Sequence, residues 1–365
     1  MKIGVPREIK VQEHRVGLVP AAVRELTARG HQVLVQTGAG TGVGCEDERY
    51  RQAGARITPD AQSVFDEAEL IVKVKEPQPE ECARLRAGQV LFAYLHLAAD
   101  PGQADALCHS NCIAIGYETV TGPDASLPLL TPMSEVAGRM AVQVGATYLQ
   151  QPFGGSGVLL GGVAGVPAAN VAVLGAGVAG TNAIEMAQGL RADVTAIDRS
   201  LTQLRRIDAQ FQGGVRTRYS TAEAIDQAVA DAVLLIGAVL VPGAVAPRLV
   251  SEAMIRRMRR GSVVVDIAID QGGCFQTSHP TTHAAPIYVV HGVIHYCVTN
   301  MPGAVPRTSA HALNHATLPF VQALADLGWE RAAREVPGLA DGLNIVRGHI
   351  VHPAVARSLG RSNAV

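Results

Sequence analysis

Four polar residues of this sequence stand where their side chains could do chemistry. Arg15 precedes the apolar run "VGLVP", Lys75 closes "LIVKVK", His96 closes "LFAYLH" and Asp270 closes "SVVVDIAID". Singly, each has an ordinary reading: an exposed Arg in an ion pair, a snorkelling Lys, a satisfied core His, an Asp that caps a turn. Together they form a coherent set. Arg clamps a carboxylate with two hydrogen bonds, and Lys polarises a carbonyl oxygen as charge develops on it. His titrates near neutral pH and transfers protons, and Asp orients or relays them. Lys, His and Asp close β-type runs, and open α/β sheets bind ligands beyond the carboxyl ends of their strands. Lys73, two residues before Lys75, falls on the same side of a strand covering residues 70–75. Either amine there reaches water, or one of them meets an anionic or carbonyl ligand.

A second constellation is "VAVLGAGVAGTNAIEMAQGL". Gly175, Gly177 and Gly180 form G-x-G-x-x-G between a β-branched strand and a helix. The first glycine allows a tight turn, the second a close approach to a pyrophosphate, and the third close packing of helix on strand. Free amides at the helix start then face the anion. The strand "VTAIDRS" carries Asp198, 18 residues past Gly180. A carboxylate there suits the ribose 2′-hydroxyl of NAD and repels the 2′-phosphate of NADP, although Arg199 could pair with that phosphate if Asp198 turned away.

These residues need a scaffold of alternating strands and helices, and the sequence supplies one. The expected first unit has strands in "KIGVP" (2–6), in "HQVLVQTGAG" (31–40, running into glycine), and at 70–75, 89–95 and 112–117, and helices at 20–30, 79–87 and 101–110. A long helix begins at Thr131, read as its N-cap with Pro132 at the first helical position, and runs to about residue 151. The glycine-dense stretch that follows reads as turns around a short strand. From residue 170 a second unit has strands at 171–174, 193–197, 232–236, 262–268 and 287–290 and helices at 178–189, 200–212, 222–230 and 251–258. A helix over 308–326 opens the last 60 residues, too few to stand alone, which are expected to return to the first unit. The fold class is therefore α/β: two Rossmann-like, doubly wound domains with parallel sheets, the first of them discontinuous.

Composition narrows the function. The 365 residues exceed one ordinary core, so two domains are expected. The net charge is −1, with 48% hydrophobic and 4% aromatic residues, which argues against nucleic-acid partners. No apolar run reaches the ~18 residues of a membrane span, and the N-terminus lacks the apolar core of a signal peptide. The six cysteines are scattered without a disulfide pattern, so a reduced cytoplasmic protein is expected. His279/His283, His291/His295 and His311/His315 share H-x-x-x-H, a metal spacing only on a helix. Pro280 interrupts the first pair, the second falls in a strand and loop, and no H-E-x-x-H is present, so no metal is expected.

The motifs "GVPREIK" (4–10), "HRVGLVP" (14–20), "VKVKEP" (72–77), "YLHLAA" (94–99), "TPMSEVAGRMA" (131–141), "GAGVAG" (175–180), "GAVLVPGAVAP" (237–247), "VDIAIDQGG" (265–273) and "TNMPGAVPRTS" (299–309) carry a resemblance over nearly the whole chain. It resembles the bacterial alanine dehydrogenases. The transhydrogenase α subunits share the fold, but "YLHLAA" and "DIAIDQGG" match the amino-acid enzymes better. The resemblance implies a catalytic domain of residues 1–130 and 306–365 and an NAD domain of residues 131–305. It implies NAD-dependent, reversible oxidative deamination of L-alanine to pyruvate and ammonium. Arg15 and Lys75 would hold the substrate, His96 would be the general acid/base and Asp270 the second essential polar group. Ser134, Val178, Ser220, Val239, Leu240, Ile267, Asn300 and Met301 would join the glycines and Asp198 around the cofactor. Tyr94, Leu130, Met133 and Met301 would enclose a methyl side chain. Gln203 stands where the family has a basic residue near the adenine ribose. A homohexamer is likewise implied.

Overall fold

The computed structural model describes residues 1–124, 126–239 and 246–362. The chain divides into two compact units, Met1–Met133 with Val305–Val365, and Ser134–Ala304. In chain order, β1 (Lys2–Val5), β2 (Gln32–Gln36), β3 (Arg56–Thr58), β4 (Leu70–Val72), β5 (Val90–Ala93) and β6 (Ile113–Gly116) belong to the first unit. The second holds β7 (Asn170–Leu174), β8 (Asp193–Asp198), β9 (Arg216–Tyr219), β10 (Leu234–Gly237), β11 (Val263–Asp266), β12 (Ile287–Val290) and β13 (Val293–Tyr296). β14 (Leu343–Val346) and β15 (His349–Ile350) return to the first.

The first sheet has the order β15-β14-β6-β5-β4-β1-β2-β3 and is parallel from β6 to β3, with β14 and β15 antiparallel at one edge. The second has the order β12-β13-β11-β10-β7-β8-β9, with only β12 antiparallel. The winding reverses between β1 and β4 in one sheet and between β7 and β10 in the other. The central strands β5, β6, β10 and β11 are buried at every position, as sheets covered on both faces require. Their side chains fill two cores, one around Phe65, Ile71, Leu91 and Leu107, the other around Leu174, Ile197, Leu235 and Phe275. Asp60, Asp100, Ser200, Thr221 and Ser251 each accept the amide three residues on and so start a helix.

Several local expectations are corrected. The helix expected at 79–87 ends at Cys82; its third residue, Glu81, accepts the Gln78 amide and so caps its start, and the chain re-enters the sheet at Val90. Thr131 is the first residue of helix Thr131–Tyr148 rather than its cap, and its hydroxyl donates to the Leu127 carbonyl at 3.1 Å. The glycine-dense stretch forms only an isolated bridge between Val163 and Val166. β11 stops at Asp266, whose carboxylate accepts the Ala268 amide and turns the chain into the 3₁₀ segment Ile267–Gln271. Asp270 therefore lies in a turn, not on the strand. β9, with the exposed pattern "RTRY", was not legible as a strand.

Within the first unit, the C-terminal helix Pro306–Leu327 is tied to the segment that carries Arg15. Asn314, 1% exposed, accepts the Val19 amide at 2.8 Å and donates to the Gly17 carbonyl at 3.1 Å. Gly17 passes so close to β4 that a Cβ would lie 2.2 Å from the Val72 carbonyl oxygen. Asn314→Ala leaves buried backbone groups unpaired, so the unit should lose about 2–4 kcal/mol of stability, measured by urea unfolding.

Candidate active site

In the first unit, β1, β4 and β5 end side by side at the winding reversal, and the segments leaving them hold Arg15, Lys75 and His96. The Lys75 Nζ lies 3.4 Å from His96 Nε2 and 4.0 Å from a Glu76 carboxylate oxygen. It also sits 6.0 Å above the centre of the Tyr94 ring. Burial pulls the Lys75 pKa below its ordinary value; Glu76 opposes this, and the cations Arg15 and Lys10 add to it. Glu76 is held below the usual carboxylate range despite burial, because Lys75, Lys10 and His96 surround it.

His96 has the left-handed backbone conformation, φ 51°, which costs energy in a residue other than glycine. Glu118 holds that turn by accepting the amides of Leu95, at 3.1 Å, and His96, at 2.6 Å. The imidazole stacks on Tyr94, ring centres 5.8 Å apart, and the Tyr94 hydroxyl donates to the Leu129 carbonyl at 2.6 Å. Arg15 is 2% exposed. Glu13 takes its Nε at 2.7 Å and Nη2 at 2.5 Å, while Nη1 is 3.1 Å from the Met133 sulfur. Burial works against the guanidinium charge, but the bonds and charge of Glu13 win and raise its pKa.

The two lysines that share a spacing have different fates. Lys73 is 1% exposed and donates to Glu8 at 3.0 Å and to Glu81 at 2.7 Å. It does not fray into water, and two carboxylates of the chain take its ammonium. Burial alone would lower its pKa, and the two carboxylates reverse the direction. Glu8, Glu13, Glu81 and Glu118 were missed in the sequence. The one available signal was acidic residues in segments otherwise read as apolar or as loop.

In the second unit, the three glycines do different work. Gly175 has φ +96°, Gly180 leaves no room for a Cβ, which would lie 1.7 Å from the Gly175 carbonyl oxygen, and a Cβ on Gly177 would meet nothing within 4 Å. The open space at Gly177, at the N-terminus of helix Val178–Gly189, fits an anionic pyrophosphate. Asp198 ends β8 and braces this loop, accepting the Ala176 amide at 2.7 Å and the Ser200 amide at 2.7 Å. Its carbonyl accepts the Ser220 amide at 3.0 Å, which brings Ser220 beside it. Val239 follows β10 and Ile267 follows β11, at the same edge of the sheet. Leu240 lies outside the described residues. Val178 is 40% exposed, and Met301 is buried at the start of the 3₁₀ segment Met301–Ala304. The Asn300 carbonyl accepts His283 Nε2 at 2.8 Å, and Ser134 lies in the long helix. Asp270 is exposed and belongs to this unit, whereas Arg15, Lys75 and His96 belong to the other. Gln203 is half-buried near the start of its helix, and Arg199, Arg205 and Arg206 are exposed.

His311 and His315 do lie on a helix, Pro306–Leu327, so their spacing is the helical one. Among the described residues, no group of three or more His, Cys, Asp or Glu is placed to hold a metal ion. Nor is any described helix long and apolar enough to cross a membrane.

One unit with a glycine-rich loop at its winding reversal, and one with a cationic, histidine-bearing cluster at its own, define a two-domain α/β protein of the dinucleotide-binding class. Models of the alanine dehydrogenase/PNT family match the chain at residues 4–137, N-terminal domain, and 141–353, C-terminal domain. The chain belongs to that family. It is 56% identical over 360 residues to alanine dehydrogenase of Halomonas elongata, covering 99% of this chain and 97% of that one. It is 54% identical over 361 residues to alanine dehydrogenase of Bacillus subtilis, covering 99% and 95%. A solved L-alanine dehydrogenase superposes with a TM-score of 0.96 at 50% identity, over 99% of both chains. A transhydrogenase from Sinorhizobium meliloti reaches 0.83 at 26% identity, over 97% of this chain and 100% of the other.

The glycine geometry separates two substitutions. Gly180→Ala drives a methyl into the Gly175 carbonyl and should cost about 1–3 kcal/mol. Gly177→Ala enters open space and should leave the thermal midpoint unchanged, both read by calorimetry.

Proposed function

We propose that this chain is an NAD-dependent L-alanine dehydrogenase that converts L-alanine and water reversibly to pyruvate and ammonium. The observation that carries the reading is identity above 50% to alanine dehydrogenases over 99% of the chain. The cluster of Arg15, Lys75 and His96 at one sheet edge supports it. Residues 1–130 and 306–365 form the catalytic domain and residues 131–305 the cofactor domain. Gly175, Gly177, Val178 and Gly180 form the loop and helix start that receive the pyrophosphate, with Gly177 facing it. Asp198 takes the adenine ribose, and Ser220, Val239 and Leu240 the adenosine half. Ser134, Ile267, Asn300 and Met301 complete the cofactor's surroundings. Bound NAD⁺ supplies the acceptor for the hydride that leaves the alanine Cα.

The chain's own residues do the rest. Arg15, its charge secured by Glu13, orients the substrate carboxylate. Tyr94, Leu130, Met133 and Met301 give the methyl group an apolar surface. Loss of hydride leaves an iminium, and His96 takes a proton from the water that adds to it. His96 returns that proton to the nitrogen of the resulting carbinolamine. As the C–N bond breaks, His96 takes the hydroxyl proton and passes it to the departing ammonia, leaving pyruvate and ammonium. Lys75 stabilises the oxygen that becomes the pyruvate carbonyl. Asp270 is the second essential polar group. The functional assembly is a cytoplasmic homohexamer.

Purified protein with NAD⁺ and a panel of L-amino acids at alkaline pH should form NADH fastest with alanine, well ahead of serine, lysine and glutamate. Hydride exchange between nicotinamide analogues without amino-acid oxidation would move the chain to a transhydrogenase reading. His96→Ala should lower kcat by ~10²–10⁴-fold while NADH binding, followed by fluorescence titration, is kept. Wild-type turnover in that variant would remove His96 from the mechanism.

A further inference from the structure

The bond pattern around Lys73 differs from a simple ion pair. Glu8 and Glu81 each place one oxygen on the Lys73 ammonium, at 3.0 and 2.7 Å. Each places its other oxygen on the backbone that follows. The second oxygen of Glu8 accepts the Val74 amide at 2.7 Å, and that of Glu81 accepts the Gln78 amide at 2.8 Å. One ammonium thus links two carboxylates that grip the chain on either side of Lys75. Glu8 leaves the end of β1 and Glu81 lies in the short helix Pro79–Cys82, so the clamp joins two further elements to the end of β4. All three side chains are 1–2% exposed.

Burial of this kind demands completeness. A desolvated carboxylate without its cation is strongly unfavourable, and a methionine in place of Lys73 would fill the volume without holding either acid. An apolar strand end would serve stability as well as an ion triad does. What the triad adds is direction: its four bonds fix the path of residues 73–78, and with it the point from which the Lys75 side chain departs toward His96.

We propose that Lys73, through Glu8 and Glu81, is a positioning residue that sets the placement of Lys75 against the substrate's carbonyl oxygen. This rests on the alanine dehydrogenase reading and extends it to a residue that touches neither substrate nor cofactor. Effective positioning is steep in distance, and a displacement of about 1 Å can cost ~10²-fold.

The test is steady-state kinetics of pyruvate amination with NADH for wild type, Lys73→Met and Glu81→Gln, alongside thermal unfolding. A purely structural role reduces the amount of active protein, which lowers apparent kcat and leaves KM where it was. Positioning instead raises KM for pyruvate, by about ten- to a hundredfold in Lys73→Met, with KM for NADH unchanged. Glu81→Gln keeps the shape and one acceptor. It should shift pyruvate KM the same way by roughly three- to tenfold, and it decides the matter if Lys73→Met does not fold. Pyruvate KM values equal to wild type in every folded variant would overturn the proposal and leave the enzymatic reading intact. Wild-type protein without alanine or pyruvate turnover would overturn that reading, and the proposal with it.

Discussion

In the parallel part of each sheet the strands all run the same way, so they all end on the same edge, and the antiparallel strands stand at the margins. That constraint organises both units. Residues far apart in sequence leave neighbouring strand ends together: Lys75 after β4, His96 after β5, and Glu8 and Arg15 in the segment after β1. In the second unit the same geometry gathers the glycine loop after β7, Asp198 at the end of β8 and Ser220 after β9. Where the winding reverses, the connections on either side diverge and leave room for a ligand.

Placing charged groups at such an edge sets a second requirement, because the flanking core is dry. Five charged side chains of the first unit, Glu8, Glu13, Arg15, Lys73 and Glu81, are at most 7% exposed. They are sorted into ion-paired sets: Glu13 with Arg15, and Glu8 and Glu81 with Lys73. Burial pushes Glu8 upward in pKa in spite of Lys73, partly because Glu81 and Glu13 are near. Lys75, less completely paired, is shifted downward by burial, the opposite direction to Lys73. β4 ends at Val72, short of the strand expected over 70–75, and the two lysines just past its end have opposite electrostatics, one locked by two acids and one beside a histidine and two further cations.

Strand and helix alternation was legible because sheets covered on both faces need near-continuous apolar strands, as in β5, β10 and β11. The glycine loop was legible because steric exclusion acts on residue type directly: Gly175 must turn, and Gly180 must leave space for its neighbour's carbonyl. Arg15, Lys75 and His96 stood out as polar groups beside apolar runs. Other features were hidden because they depend on partners distant in sequence. Nothing near Lys73 in the chain says that Glu8, 65 residues earlier, will take its ammonium. The local pattern of "RTRY" is not apolar, and β9 is a strand only because β8 offers it an edge.

By itself, the sequence determined the two α/β units, the glycine-rich loop and the residue types able to do chemistry, since periodicity, glycine sterics and side-chain acidity are local properties. The tertiary structure alone decided which lysine is a structural charge and which faces His96, that His96 sits in a left-handed turn held by Glu118, and that Asp270 stands on a turn rather than a strand. Those outcomes depend on desolvation and on hydrogen bonds between segments that meet only when the sheets close, and no local pattern encodes them.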